Sequence, residues 1–448
     1  MDTIREISNH LKQLGGKCYL VGGSVIDFIK NRKITEYDVE VFGLSPSVIR
    51  DEVSKFGDVS TVGKTFGVVK LNNVMDFSVP RRENRIGAGH VDFDVDFDPH
   101  MSIKDAALRR NFTINSIYLD IDTLEIHDYY NGIKDLNDGI LRHVSDKFGE
   151  DPLRVLIAMQ LLSRKVKTVA PETLELCMSL KTQFNTISKE RIYAEFNKLL
   201  LKGDNPGMGM QFLKDSGWIE CFPELNVLIA CKQKECWHPE GVVYSHVIQA
   251  VDNAAKVRHI CPDDWMQAFM YGVLLHDVGK PLTTDENLRS HGHAEAGVDV
   301  AETFMRRLCD DADLIGKVKK IVKHHMTPWN LTDQHARICR WKRLHNEIRL
   351  DVIGLVARCD DAARNRNVMD PDPVHIICQE LTLQFGDKPI APVLMGRHLI
   401  AMGMTPGPSF KKLLKEGYDY QIETGETNPS VILSQLCANM TEKIMEGV

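Results

Sequence analysis

The chain is 448 residues long, enough for about three domains. Its 43% hydrophobic and 26% charged residues are those of an ordinary soluble globular protein. The net charge of −7 excludes a whole-chain basic signal, so RNA would have to meet local patches. Those patches are Arg81 and Arg82 with Arg85, Arg109 with Arg110, Lys317 to Lys323, and Arg340 to Arg343. Taken singly, each reads more readily as a solvated helix face than as an RNA contact. Eleven scattered cysteines, an odd number with no CxxC pair, point to reduced thiols and a cytoplasmic protein. The loose group Cys231, Cys236 and His238 lacks a fourth zinc ligand at a usual spacing. No run approaches the length of a membrane span.

In chain order, MDTIREISNHLKQLGG predicts an amphipathic helix ending at glycine, and its acids make it unlike a signal peptide. The apolar run Cys18 to Val21 predicts a buried strand. Gly22, Gly23 and Ser24 follow, where a phosphate can approach the backbone and the N–H groups of the next helix, about Val25 to Lys30, are free. Asp27 lies near the start of that helix. A second strand presents Glu36, Asp38 and Glu40, which by alternation share one face. Carboxylates beside a glycine turn suit Mg²⁺-assisted attack on a nucleotide. The stretch from Cys18 to Gly43 resembles the signature of the DNA polymerase β superfamily, in the form found in class II tRNA nucleotidyltransferases, the CCA-adding enzymes. The resemblance implies Mg²⁺ on Glu36 and Asp38, with Glu40 sharing the load. It also implies nucleotide contacts at Gly22, Gly23, Ser24 and Asp27. The family usually has an aspartate where Glu36 stands and an arginine where Ile26 stands.

Val68 to Leu71 and Val74 to Val79 predict strands of one small sheet. Asp76 stands about where the resemblance places the superfamily's third catalytic carboxylate. The segment RRENRIGAGH reads as a charged, glycine-rich loop near the primer end of an RNA. In DAALRRNFTINSIYLD, Arg109 and Arg110 close a helical turn and Asn111 to Ile117 turns to strand. Arginine suits bidentate capture of phosphate. The family carries the similar stretch RRDFTINA, which implies nucleotide contacts at Arg109, Arg110, Asn111 and Asn115. Asn111 replaces an aspartate, keeping an acceptor for a ribose hydroxyl without the charge.

GEDPLRVLIAMQLLSRK predicts a helix entered through Pro152, with Glu150 and Asp151 at its positive end. Asp151 and Arg154 are three apart and face together. In the family the matching pair reads the Watson–Crick edge of CTP and ATP. Ile157 and Gln160 stand where the family often has arginines, and Arg164 remains. SKERIYAEFNKLL matches the family's closing neck helix, with Glu190 and Arg191 set to hold the templating helix.

From Trp237 a second chemistry begins. His246, the His276-Asp277 dyad, His293, His325 and the Asp360-Asp361 pair lie on predicted helices at spacings that suit a divalent metal. The pattern resembles the HD phosphohydrolase domain. The resemblance implies His246, His276, Asp277 and Asp361 as primary ligands, with Asp360 an equal candidate for the last. It also implies His293 and His325 on a second metal or the phosphate, and Lys280 on the phosphate. The tail reads as two short helices around a TPGP turn, with Lys411, Lys412 and Lys415 facing RNA backbone or solvent.

The expected fold class is therefore α+β: a small mixed-sheet nucleotidyltransferase head (1–147), then an all-α neck (148–228), HD domain (229–380) and tail (381–448). The expected function is template-independent addition of CMP and AMP to tRNA 3′ ends from CTP and ATP with Mg²⁺. An HD phosphatase or 2′,3′-cyclic phosphodiesterase using a divalent metal such as Mg²⁺, Mn²⁺ or Ni²⁺ accompanies it. The alternatives are an A-adding or poly(A) polymerase of the same family, or an RNA-binding HD hydrolase whose head no longer synthesises. The expected partners are tRNA, CTP and ATP, with neither DNA nor membrane, and a monomer or homodimer.

Overall fold

A computed structural model describes residues 2–62, 67–85, 93–364 and 366–445. The chain forms two compact units, Met1–Asn226 and Val227–Val448. Half of the expected loop RRENRIGAGH, residues 86–90, lies outside the described residues, as do the side chains of Arg82 and Arg85, while Arg81–Arg85 is strand and not loop. Among the described residues, no helix is long and apolar enough to cross a membrane.

The first unit opens with the helix Asp2–Gln13, whose Ile4, Ile7 and Leu11 form one buried stripe against the sheet core. The strands are β1 (Lys17–Leu20), β2 (Tyr37–Phe42), β3 (Val59–Val62), β4 (Val68–Leu71), β5 (Met75–Ser78), β6 (Arg81–Arg85), β7 (Phe93–Phe97), β8 (Tyr118–Asp120) and β9 (Ile126–His127). Seven of them form a mixed sheet in the order β3-β4-β5-β2-β1-β8-β9, while β6 and β7 form a separate antiparallel ribbon. The one parallel neighbour pair in the large sheet is β2 with β5, in a register that sets Asp38 opposite Asp76 and Glu40 opposite Ser78. Val39, Val41, Phe77 and Leu71 point to the other side and are buried in the core.

Two local expectations change. Glu36 is one residue ahead of β2 and exposed, so it is not part of the strand face that carries Asp38 and Glu40. The segment 111–117 is a turn, with strand only from Tyr118. Side-chain bonds divert it: Ser116 Oγ donates to the carbonyls of Ala107 and Phe112, and Thr113 Oγ1 to Asp135.

Beyond the sheet, the helix Leu153–Leu162 is buried on nearly every side and packs on the helices Lys189–Lys202 and Pro206–Asp215. The second unit is helical. Its core is built from Val243–Val257, Asp263–Leu275, His293–Leu308, Ala312–His324 and Leu350–Ala362. The tail is more extensive than two short helices: Gly396–Ala401 is short, but Pro408–Thr424 and Pro429–Met445 have 17 residues each. They enclose a small core of Leu394, Leu399, Leu413, Ile432 and Leu436.

Gly22 holds the turn after β1 at φ +62°, and a Cβ there would lie 3.2 Å from Asp38 Oδ2. Left-handed backbone costs a residue with a Cβ about 1–2 kcal/mol. Gly22→Ala is therefore expected to lose about that much stability in denaturant unfolding, and to push the Asp38 carboxylate from its place.

Candidate active sites

In the first unit, the glycine turn and the β2–β5 pair converge on Asp38. Burial raises the Asp38 pKa, Arg110 opposes the rise, and the neighbouring Asp76 and Glu36 add to it. Two lysines balance the surrounding acids. Lys70 Nζ lies 2.7 Å from Asp76 Oδ2, and Lys202 Nζ lies 2.9 Å from Glu36 Oε1. The Lys202 bond is the main reason the Glu36 pKa is lowered. Such a crowd of carboxylate oxygens fits a hard divalent cation, which would relieve their mutual repulsion. Glu40 is placed differently. Its Oε2 accepts from Arg110 Nη2 at 3.0 Å and from Tyr118 Oη, and only 9% of the residue is exposed. It anchors Arg110, so the structure separates it from the Asp38–Asp76 pair. Ser24 Oγ donates to the Val21 carbonyl and accepts from the Asp38 backbone N–H, which ties the turn to β2. Asp27 pairs with Lys165, which follows the helix Leu153–Leu162.

A cleft of about 370 Å³ opens beside Glu40 and Ser78, one strand step from Asp38. Arg109, Arg110, Asn111, Asp151, Arg154, Ile157 and Arg191 line it. The two expected nucleotide motifs thus meet in one space of ligand size. Asp151 is held by Arg191, whose Nη2 lies 2.7 Å from Oδ2, while Glu190 is exposed. Arg154 Nη1 donates to the Lys147 carbonyl at 2.8 Å. Gln160 accepts from Arg164 at 2.9 Å and so orients the remaining neck arginine. Asn115 is not in the cleft lining, and its Oδ1 is buried without a hydrogen bond.

In the second unit, the helices bring six side chains together. Asp277, 1% exposed, uses both oxygens. Oδ2 lies 3.3 Å from His276 Nε2 and 3.8 Å from His246 Nε2, and Oδ1 lies 3.4 Å from His293 Nε2 and 3.8 Å from His325 Nε2. Asp360 Oδ1 completes the first group, 2.9 Å from His246 Nε2. Asp361 does not join. It turns to Arg366, 2.6 Å away, because neighbours on the helix Leu350–Ala362 point in directions about 100° apart. Of the two candidates left open for the last ligand, Asp360 is the one that faces the histidines and Asp361 the one that does not.

Hydrogen bonds select the tautomers. His276, His293 and His325 each place Nδ1 2.7 Å from the backbone carbonyl three residues earlier. A carbonyl only accepts, so Nδ1 carries the proton and Nε2 presents a lone pair. His293 Nε2 and His325 Nε2 then face each other at 3.0 Å. His276 Nε2 is buried without a hydrogen-bond partner. Converging lone pairs of this kind fit bound cations, and histidine with carboxylate suits a transition metal. Burial opposes charge on Asp277, but the Lys280 ammonium, 2.6 Å from Oδ2, outweighs it and holds the carboxyl well below the usual range. Burial pushes His325 down to about 3.

Glu240 was not foreseen from the sequence. Its buried Oε1 lies 2.6 Å from His246 Nδ1 and 2.8 Å from His238 Nδ1, so it orients a candidate ligand from behind. A glutamate six residues before a histidine has no distinctive pattern. Gly279 was equally silent: a Cβ there would lie 2.0 Å from the His293 carbonyl oxygen, so only glycine lets the His293 segment close on Asp277. The loose zinc group does not form. Cys231 meets Thr284, Cys236 is exposed and His238 turns to Glu240.

Comparison with known proteins places both sites in context. Family models match the poly A polymerase head domain at residues 18–142, the probable RNA and SrmB-binding site of polymerase A at 168–229, and the HD domain at 243–365. The multifunctional CCA protein of Vibrio parahaemolyticus serotype O3:K6 is 30% identical over 369 residues, 81% of this chain and 84% of that protein. That of Shewanella denitrificans is 34% identical over 300 residues, 65% of this chain and 70% of that protein. The crystal structure of the Bacillus stearothermophilus CCA-adding enzyme in complex with CTP shares the fold with a TM-score of 0.68, at 20% identity, over 99% of this chain and 98% of that one. The Thermotoga maritima CCA-adding enzyme complexed with tRNA gives a TM-score of 0.57, at 15% identity, over 98% and 95% of the two chains.

The helical site makes a sharp distinction between neighbours. Asp360→Ala is expected to lose bound divalent metal, whereas Asp361→Ala retains it, as read by metal analysis after dialysis. Glu240→Ala, which frees the His246 ring, is expected to weaken metal affinity by about 10- to 100-fold in a calorimetric titration.

Proposed function

Because this chain belongs to the family of the multifunctional CCA proteins, we propose that its first unit adds CMP and AMP to the 3′ end of tRNA and its second unit hydrolyses phosphoesters at RNA ends. The observation that carries the first half is the register of β2 and β5, which sets Asp38 beside Asp76 and the glycine turn, one step from a cleft holding both nucleotide motifs.

In this reading Glu36, Asp38 and Asp76 would hold Mg²⁺, which would supply charge neutralisation at the phosphates and a more acidic terminal hydroxyl. The tRNA 3′ oxygen bonds to the α-phosphorus of the nucleotide, and the bond to the β-phosphate oxygen breaks to release pyrophosphate. The hydroxyl proton passes to solvent. Arg109 and Arg110 orient the phosphates, with Arg110 held by Glu40 and Tyr118. Asn111 accepts from a ribose hydroxyl. Asp151 and Arg154 read the base edge. Their partners Arg191 and the Lys147 carbonyl keep them from collapsing, so the cleft is preorganised for cytosine or adenine. Lys165 on Asp27 and Lys202 on Glu36 join the templating side to the carboxylate side. The A-only transferase has no observation in its favour, since the departures at Ile157 and Gln160 leave the Asp151–Arg154 pair intact.

In the second unit His246, His276 and Asp360 form one ligand set and Asp277, His293 and His325 another, with Asp277 between them. A bound divalent metal supplies a nucleophilic water at neutral pH. Lys280, 2.6 Å from Asp277 Oδ2, is placed to meet phosphate charge. Attack at phosphorus opens a 2′,3′-cyclic phosphate by breaking one P–O bond, and the leaving ribose oxygen takes up a proton.

The test is incorporation of labelled CTP and ATP, alone and together, into tRNAs ending before CCA, after C and after CC. Ordered addition of C, C and A, abolished by Asp38→Ala, is expected. Addition of A only would replace this reading by the narrower transferase. Absence of incorporation with intact phosphoesterase activity would leave the head as a binding module.

A further inference from the structure

We propose that the cleft of the second unit recognises the terminal nucleoside of its substrate as well as the phosphate, with the indole of Trp237 stacking on the base. The inference rests on the phosphoesterase reading of that unit and deepens it. The cleft measures about 530 Å³ and is lined by Trp237, Lys234, Lys280, Arg289, Arg364 and the Asp277 cluster, among others. The lining therefore combines four cationic side chains, members of the candidate metal cluster and one largely exposed aromatic ring. That is the composition a nucleotide requires: cations for phosphate, a flat apolar face for the base.

Trp237 is unusual in its exposure. It is 68% exposed, whereas Trp218, Trp265 and Trp341 are at most 9% exposed and Trp329 is partly covered. A large indole left in water next to a phosphate site has the geometry of a stacking platform. The loop that carries it is anchored at both ends to the reaction centre. The Lys232–Val242 bridge and the Gln233 N–H to Gly241 carbonyl bond close the loop. At one end Gln233 Oε1 accepts from Lys280 Nζ at 2.7 Å, and Lys280 also reaches Asp277. At the other, His238 shares Glu240 with His246. The N–H groups of Trp237 and His238 both donate to the Lys234 carbonyl, at 3.0 and 2.8 Å. The backbone that carries the ring is thereby fixed next to the cluster, and binding need not first order the loop.

The test compares adenosine 2′,3′-cyclic phosphate with the methyl riboside 2′,3′-cyclic phosphate, which has no base. Base stacking on an aromatic ring contributes enough to change binding by about tenfold. Trp237→Ala is expected to lower kcat/KM for the adenosine substrate about tenfold through KM. Trp237→Phe should restore most of it, and the methyl riboside should be hydrolysed equally by all three proteins. Adenosine 3′-monophosphate is expected to quench the tryptophan fluorescence of the wild type but not of Trp237→Phe, and ribose 5-phosphate to quench neither. Equal loss on both cyclic phosphates, or no loss on either, would overturn the proposal. Hydrolysis of neither substrate by the wild type would overturn the phosphoesterase reading instead, and the quenching experiment would then decide whether Trp237 binds a base.

Discussion

Two carboxylates set side by side in adjacent strands repel, and the first unit is organised around keeping that repulsion in place. The parallel pairing of β2 with β5 puts Asp38 opposite Asp76, and burial makes the charge on Asp38 harder to hold. Lys70 on Asp76, Lys202 on Glu36 and the Arg110 charge offset it. A pair of central strands with this electrostatic demand is a ready acceptor for divalent cations. The glycine turn follows from the same constraint, since a side chain at Gly22 would crowd the Asp38 carboxylate.

The second unit meets a similar demand with histidines. Asp277 is almost fully buried, yet the Lys280 ammonium beside it favours its charged form. Each ring is steered by a bond on its far nitrogen: backbone carbonyls for His276, His293 and His325, and Glu240 for His246. The lone pairs converge because the helices cross closely, which Gly279 permits. Both units therefore rely on partners outside the reacting shell. Arg191 does for Asp151 what Glu240 does for His246.

Much of this was legible in the chain. The glycine turn, Asp38, the Arg109–Arg110 pair, Asp151 with Arg154 and the His276-Asp277 dyad are local patterns, and each lies in one of the two clefts or beside it. What was not legible depends on direction. Glu36 shares parity with Asp38 and Glu40, but the strand starts after it and Glu40 is bound to Arg110 and Tyr118. Asp360 and Asp361 are adjacent, and only the crossing of helices decides which one faces His246.

The sequence by itself determined the order of motifs, the α+β class and the residue types available for metal, phosphate and base. These follow from spacing within single turns, strands and helices, where local backbone geometry dictates which residues can act together. The tertiary structure alone decided which carboxylates meet, that Glu240 stands behind His246, and that Trp237 shares a cleft with the histidine cluster. Those contacts join residues far apart in the chain. Their geometry comes from strand register and helix packing, which no local pattern encodes.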